Sequence, residues 1–298
     1  MKECFLNTHN FTIFCLRGAG RLLADGLSTW SHRETNKWPP KDRVLIMESP
    51  MPRLFEQLHD AYASGEISRA FSLVKYELRS SPSDGRAWEW LGVVQYSRGR
   101  HAVAVSALER ASLLVPLQTA SRICLALGYG KVGRRELSRQ LLFDFVGDES
   151  VPIRLLLQVA SGLDAIDRPD QAMEACRAAC RCDPDFAQTY YDLAYYAARC
   201  GNSPRIIESL IRRAIAFDVD NVCYRVGLAT LFVRQDRIAS AHQVIASFSS
   251  AEISRIGCRR CLERMAEIFW WFNDEERAAI CHCHSRRLAS EQSSQDCH

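Results

Sequence analysis

The sequence predicts an all-α fold built from repeated antiparallel helix hairpins, and three periodic features predict it. Residues that tolerate a left-handed backbone recur about every 34 positions, small residues flank them at fixed distances, and prolines follow several of them. The chain has 298 residues, 47% of them hydrophobic, so it can bury a substantial core. A period of this length is typical of helix pairs that stack on one another.

Seven turn positions define the register of the repeat. They are Gly65, Gly99, Gly133, Asp167, Gly201, Asp236 and Asn273, and all but the last two intervals are 34 residues long. Glycine has no Cβ, and Asp and Asn accept a positive φ better than other residues. Each position is therefore predicted to end one helix and lead into the next.

Small residues surround these turns at two fixed distances. Seven residues before the turns stand Leu58, Gly92, Ala126, Ala160, Ala194, Ala229 and Ala266. About five residues after them stand Ala70, Ala104, Ser138, Ala172, Ile207, Ala241 and Ala278. Small side chains on both sides of a tight turn let two antiparallel helices approach closely, so these are the predicted helix crossings.

Prolines mark the predicted ends of second helices. Pro82, Pro116 and Pro184 lie seventeen residues after their turns, and Ser150, Val219, Ile253 and Ser290 hold the place in weaker copies. The register predicts first helices at 52–63, 86–97, 120–131, 153–165, 187–199, 222–234 and 258–271. Ser203 is predicted to cap the helix that Pro204 begins.

The clearest copy of the repeat runs from Gly85 to Gln118. It contains, in order, Trp88, Leu91, Gly92, Tyr96, Gly99, Ala104, Leu108, Ala111 and Pro116. This pattern resembles the tetratricopeptide repeat, with about seven copies over residues 50–290 and degenerate terminal copies. The resemblance implies a right-handed solenoid, an α-α superhelix with a concave groove. It also implies that Trp88 is buried between hairpins, as Leu156 and Tyr190 are in the same place.

The segments 1–49 and 291–298 do not follow the period. Residues 291–298 are predicted to be a polar tail. Met47 and Met51 stand just before the first hairpin, so one interpretation is that residues before them are a mis-annotated gene start. The competing interpretation is an amphipathic helix from Phe11 to Leu27 that packs on the first hairpin or on a membrane surface.

Composition limits the function classes. The 38 basic and 35 acidic residues nearly cancel, so no global charge favours nucleic acid or an anionic membrane. The arginine pairs at 134–135, 212–213 and 259–260 lie on separate hairpins among acidic residues, and nucleic-acid binding stays an alternative. No apolar run is long enough to span a bilayer. Thirteen cysteines spread through helical patterns predict reduced thiols and a cytoplasmic location.

The resemblance also implies a binding groove. In this family, ligand contacts come mainly from the second, fifth, ninth and twelfth places of each repeat. The matching residues here are apolar or aromatic for the most part: Phe55, His59, Tyr62, Glu89, Val93, Tyr96, Ile123, Leu127, Leu157, Ser161, Tyr191 and Tyr195. Family members that clamp a C-terminal carboxylate use Lys and Asn there, and neither occurs, so that mode of binding is not expected.

Cysteines near the C-terminus form a weak metal motif. Cys258 and Cys261, with Cys281 and Cys283, have the donor types of a zinc site. Folding the hairpin about Asn273 separates the two pairs, and residues two apart on a helix do not share a face. No metal and no cofactor is therefore predicted. Cys176 is predicted to be a small buried residue rather than one half of a redox pair.

These features predict a non-enzymatic adaptor or scaffold that binds a partner peptide or helix in an apolar, aromatic groove. No phosphate-binding loop, paired carboxylates or nucleophile elbow occurs in the sequence. Tyr191 and Tyr195 are expected to expose their rings to that ligand. The alternatives are a nucleic-acid-binding helical repeat and a metal- or redox-responsive regulatory module that uses the C-terminal cysteines and histidines.

Overall fold

The computed structural model describes residues 51–254 and 256–295, and their elements are helical throughout. In chain order the fifteen α-helices of these ranges are α1 Met51–Ala63, α2 Ile67–Ser80, α3 Gly85–Ser97, α4 His101–Leu114, α5 Thr119–Lys131, α6 Arg135–Asp144, α7 Ile153–Ala165, α8 Pro169–Cys182, α9 Ala187–Arg199, α10 Pro204–Phe217, α11 Val222–Arg234, α12 Ile238–Ile245, α13 Ser250–Ile253, α14 Arg259–Trp271 and α15 Glu275–Gln295. A short 3₁₀ helix, Phe145–Gly147, follows α6.

The hairpin turns confirm the predicted register. All seven turn residues have positive φ, from +55° at Asn273 to +86° at Gly133. They are the positive-φ residues of the described ranges, and no other residue there joins them. The predicted first helices match the observed ones to within one residue at each end. The N-terminal segment 1–49, with the Phe11–Leu27 alternative, lies outside the described residues.

The helix crossings are as close as the small residues predict. A Cβ built on Gly92 of α3 would lie 2.4 Å from Cγ of Leu108 on α4, so no larger residue fits there without movement. Ala126, Ala160 and Ala266 are buried at the corresponding crossings of later hairpins. Close approach of the two helices is therefore a shared property of these hairpins.

Two second helices differ from the prediction. Helix α12 ends at Ile245, well before Ile253, because the side chain and amide of Ser249 form a capping box with Glu252 that starts α13. Arg277 donates to the carbonyl groups of Ala246 and Phe248 in the same stretch. Helix α15 passes Ser290 and continues to Gln295, since no proline stops it.

The start of α10 confirms one prediction and corrects another. Pro204 holds the first helical position, as expected, and Ser203 occupies the N-cap position. Its hydroxyl, however, accepts no hydrogen bond from the helix. Of the two residues, only Pro204 therefore has the role at the start of α10 that the sequence predicted.

The chain forms two compact units, the first ending at Asp183 and the second beginning at Pro184. The first contains four hairpins, α1–α2 to α7–α8. The second contains α9–α10, α11–α12 and α14–α15, with α13 inserted before the last pair. The periodicity extends across 50–290 without a break, and it did not predict this division. No helix in the described ranges is long and apolar enough to cross a lipid bilayer.

Trp88 ties its hairpin to the preceding proline. Its indole Nε1 donates to the carbonyl of Pro82 at 2.8 Å, and the guanidinium of Arg110 lies 4.3 Å from its ring centroid. The ring is only partly buried, so the expectation of full burial was wrong. The hydroxyl of Tyr190 makes the same contact with the carbonyl of Pro184 at 2.7 Å. The residue in this place therefore anchors the start of a first helix.

The turn glycines allow a clean test of the backbone requirement. Gly133 has φ +86°, and a Cβ there would meet nothing within 4 Å. Gly133→Ala is therefore expected to lower the free energy of unfolding by about 1–2 kcal/mol through backbone strain alone. Gly133→Asn should cost less, because Asn tolerates this conformation. Urea denaturation monitored by circular dichroism measures both, and an unchanged Ala variant would contradict the assignment.

Candidate functional site

The predicted groove residues divide by their place in the repeat. Fifth-place residues Glu89, Ile123 and Tyr191 are buried, with at most 5% of their surface exposed. Phe55 and Leu157, also in the fifth place, are half-buried. First helices of neighbouring hairpins pack together within each unit. Several fifth-place side chains are therefore buried between repeats and are not accessible to a ligand.

Glu89 shows what this packing does. Its carboxylate accepts a hydrogen bond from the backbone amide of Gln118 at 2.9 Å, at the N-cap of α5. The carboxylate therefore joins α3 to the start of the next first helix, where negative charge is favourable. Burial raises the pKa of Glu89, and the hydrogen bond from the Gln118 amide opposes that rise.

The twelfth-place tyrosines are also structural. The hydroxyl of Tyr62 is 2.7 Å from Oγ of Ser97, and its ring meets Trp90 edge-on at 5.7 Å between centroids. Tyr96 is 9% exposed and lies beside the ring of His101. Burial raises the pKa of both phenols. These aromatic rings therefore hold hairpins together and offer little surface to a ligand.

The ninth place retains most of the accessible surface. His59 and Leu127 of the first unit are half-buried, Ser161 is exposed and Val93 is buried. Together with the half-buried fifth-place residues, they leave a partly exposed strip on the first helices of the first unit. We call the following set the inner strip: Phe55, His59, Leu127, Leu157 and Ser161. In the second unit, Tyr195 is the half-buried ninth-place residue.

Arginines stand beside the inner strip. Arg86, Arg122 and Arg154 lie in the first turns of α3, α5 and α7, and all three are exposed. Acidic residues on the same helices are turned inward, since Glu89 and Asp164 are each 5% exposed. Around α5 and α7 the surface therefore combines apolar side chains with positive charge, whereas Glu56 and Asp60 of α1 are exposed.

Tyr191 belongs to the core of the second unit, contrary to the expectation that its ring is exposed. It is 5% exposed, and its hydroxyl donates to the carbonyl of Cys223 at 3.3 Å. Its ring lies 4.8 Å from that of Tyr224 and covers Gly227, where a Cβ would come within 2.5 Å of the phenolic oxygen. The tyrosine thus packs α9 directly against α11.

The next residue, Asp192, has a perturbed pKa that the sequence did not predict. The side-chain amide of Gln188 donates to its carboxylate at 2.6 Å, and Gln188 in turn accepts from the hydroxyl of Tyr224. Desolvation by burial raises the pKa of Asp192 to about 7. Nothing in its hydrogen bonding places it at a reaction centre.

Three cysteines converge in the second unit. The sulfur atoms of Cys223, Cys258 and Cys261 all lie within 4.8 Å of one another, and each residue is half-buried. We call this set the thiol cluster. Two of its members were among the predicted metal ligands, Cys258 and Cys261. The other two are elsewhere: Cys281 is fully buried and Cys283 is exposed, so the four predicted residues do not come together.

The cluster holds its negative charge on one sulfur. Sγ of Cys258 accepts from the backbone amide of Cys261 at 3.4 Å at the start of α14. Hydrogen bonds from the thiols of Cys223 and Cys261 lower the pKa of Cys258, and the helix amides add to this effect. The hydrogen bond to Cys258 raises the pKa of Cys223, and the pKa of Cys261 is raised first by its hydrogen bond to Cys223 and then by the one to Cys258.

Cys223 was not among the metal-ligand candidates because it lies on the hairpin before the one that carries Cys258 and Cys261. It stands in the second place of the repeat that begins at Val222, one of the family's contact places. The interval before Asn273 is 37 residues rather than 34, and this irregular spacing affects how close Cys223 comes to Cys261. The sequence alone does not predict the distance between their sulfur atoms. Cys176 is buried at its predicted packing position.

The architecture defines an α-solenoid, with seven two-helix hairpins in the described ranges. Residues 55–116 match the tetratricopeptide repeat family. The hairpins on both sides of that match continue the same period, so the described chain has the tetratricopeptide-repeat fold. No curated protein sequence matches the chain.

Solved structures share this fold at low sequence identity. A tetratricopeptide repeat protein from Parabacteroides merdae is 15% identical with a TM-score of 0.56, covering 80% of this chain and 92% of its own. The C-terminal part of a repeat protein from Cytophaga hutchinsonii is 12% identical, with a TM-score of 0.54, covering 78% and 95%. PilF from Pseudomonas aeruginosa is 16% identical, with a TM-score of 0.51, covering 68% and 91%. These likenesses concern the fold.

Proposed function

We propose that this protein is a non-enzymatic scaffold that binds a protein segment on the first helices of its first unit. The inner strip is the observation that carries the proposal. Its apolar members, Phe55, Leu127 and Leu157, keep accessible surface although neighbouring first helices are packed together. Partly exposed apolar side chains on α1, α5 and α7 suit the apolar anchors of a helix or an extended peptide.

The charged side chains near the inner strip indicate which kind of protein segment would bind there. The exposed Arg122 and Arg154 lie in the first turns of α5 and α7, the helices that carry Leu127, Leu157 and Ser161. Such residues steer and orient acidic side chains on an incoming partner. The proposed ligand is therefore an acidic protein segment with two or more apolar anchors. This site is smaller and less aromatic than the groove predicted from the sequence, because six of its residues are buried.

A nucleic-acid ligand has less support. In each arginine pair that could suggest one, a member is engaged by an acid: Arg134 with Glu109 at 3.1 Å, Arg212 with Glu208 at 2.9 Å and Arg259 with Glu263 at 2.7 Å. These guanidinium groups are already partly neutralised by carboxylates. We also propose a cytoplasmic location, since the thirteen cysteines are spread through helical patterns rather than arranged as a disulfide framework.

Affinity purification with a matched pair of variants tests the proposal. Leu157→Arg disrupts the inner strip, whereas Leu113→Arg changes a side chain on the second helix α4 that is 86% exposed. The partner recovered with the wild-type chain should bind the Leu157 variant about 30-fold more weakly, corresponding to about 2 kcal/mol at an interface hot spot. It should bind the Leu113 variant normally.

Nuclease treatment separates the two ligand classes. A protein partner retained after nuclease digestion supports the proposal, provided that the Leu157 variant alone loses it. If nuclease releases the bound material, the nucleic-acid alternative is correct. Equal binding by both folded variants would exclude the inner strip as the contact surface. Circular dichroism of each variant confirms that the fold is intact.

A further inference from the structure

We propose that Cys223, Cys258 and Cys261 form a three-thiolate site for Zn²⁺ with an open fourth position. The sulfurs of Cys223 and Cys261 are 3.8 Å apart, and all three lie within 4.8 Å of one another. With Zn–S bonds of about 2.3 Å in a tetrahedral site, neighbouring sulfurs are separated by about 3.8 Å. The cluster thus needs only small side-chain rotations to enclose the ion.

The backbone around the cluster favours thiolates. Cys223 is the second residue of α11, and Cys258 is the N-cap residue of α14, so the first turns of two helices meet at the sulfurs. Helix N-termini stabilise negative charge, and the exposed Arg260 adds positive charge beside Cys258. Three thiolates and one Zn²⁺ leave a net charge of −1, which this environment accommodates.

The number of donors determines the kind of site. Among the described residues, the group of His, Cys, Asp and Glu side chains that converge here has three members. The cysteines are half-buried rather than enclosed, so solvent reaches the metal position. A water molecule, or a ligand that displaces it, would complete the tetrahedron, as in zinc sites with three protein ligands. The thiol protons leave to solvent when the ion binds.

The position of the site indicates what the metal would do for the fold. It links α11 to α14, the first helices of the last two hairpins. Between them the second helix α12 has 8 residues, whereas the corresponding α4 has 14. This hairpin therefore has the shortest second helix of the seven hairpins in the described ranges. A metal bridge would hold its first helix to the next one, in the way that metals staple structures with a small core.

Cobalt titration of the reduced, chelator-treated full chain tests the site. Co²⁺ is expected to bind one equivalent per chain with the visible bands of tetrahedral coordination and a sulfur-to-cobalt charge-transfer band. Zn²⁺ should displace it. Cys223→Ser and Cys261→Ser should each weaken binding by at least about 100-fold, since loss of a direct ligand exceeds typical second-shell effects. Cys283→Ser, an exposed cysteine on α15, is the matched control and should bind normally.

Alkylation of the wild-type chain provides a measurement that does not depend on the folding of a variant. With Zn²⁺ bound, peptide mapping should find Cys223, Cys258 and Cys261 protected from iodoacetamide and Cys283 modified. The proposal is wrong if cobalt shows no tetrahedral spectrum or if Cys283→Ser abolishes binding. It is equally wrong if Cys223 is alkylated in the zinc-bound protein, or if the cluster forms a disulfide and takes up no metal.

Discussion

Leu108→Ala is expected to lower the free energy of unfolding by about 3–5 kcal/mol. Leu108 is fully buried on α4, and its Cγ and Cδ2 fill the space that the missing side chain of Gly92 leaves on α3. Removing a buried leucine loses its transfer free energy and leaves a cavity. The two backbones are already in close contact, so the helices cannot move inward to fill it.

The opposite change at the same crossing provides an internal test. Gly92→Ala should cost about 1–3 kcal/mol, because its Cβ would lie 2.4 Å from Cγ of Leu108 and 3.1 Å from the carbonyl of Ala104. In the double variant the new methyl group occupies space that Leu108 vacated. The combined loss should therefore be smaller than the sum of the single losses.

Urea denaturation followed by circular dichroism measures these changes. Gly147→Ala is the matched control, because a Cβ there would meet nothing within 4 Å and its φ is not in the left-handed region. It should change stability by no more than about 0.5 kcal/mol. Strictly additive losses in the double variant would show that Gly92 and Leu108 are not the residues that set the helix separation.

Tyr191→Ala should destabilise the second unit by about 3–5 kcal/mol, the range for removing a buried aromatic ring. The ring covers Gly227 and contacts Tyr224, so its loss leaves a cavity between α9 and α11. Tyr191→Phe should cost about 1 kcal/mol, because it keeps the ring and loses the hydrogen bond to the carbonyl of Cys223.

Tyr195→Ala is the comparison that separates core from surface. Tyr195 lies one turn further along α9 and is half-buried, so its replacement should cost less than half as much as Tyr191→Ala. Thermal and urea denaturation with a chelator present exclude any contribution from metal at the neighbouring thiol cluster. Equal losses from both substitutions would mean that the two tyrosines share one packing role.

The two tyrosines also show how far the sequence can be interpreted. Their spacing of four residues places both on one side of α9, and that prediction is sound for an isolated helix. The spacing does not show which of the two tyrosines the next hairpin covers. Gly227, 36 residues later, lacks a side chain and leaves room for the Tyr191 ring, and this decides its burial.

The sequence by itself determined the helices, their turns and the fold family. Each of those features is local: a positive φ at Gly65 or Asn273, a small residue at Ala126 or a proline at Pro116 acts within a few residues of its own position. The residues that impose each local conformation are therefore the same residues that reveal it in the sequence. The repeat then places this local pattern at regular intervals along the chain.

The tertiary structure alone decided which groove positions are accessible and which cysteines meet. Packing between hairpins buries the twelfth-place tyrosines and part of the fifth place, so Tyr62 and Glu89 serve the core although both were predicted to line the groove. The meeting of Cys223 with Cys261 spans 38 residues and an irregular segment with the capping box at Ser249. Such contacts depend on the summed rotations and shifts of successive hairpins, which no local pattern in the sequence records.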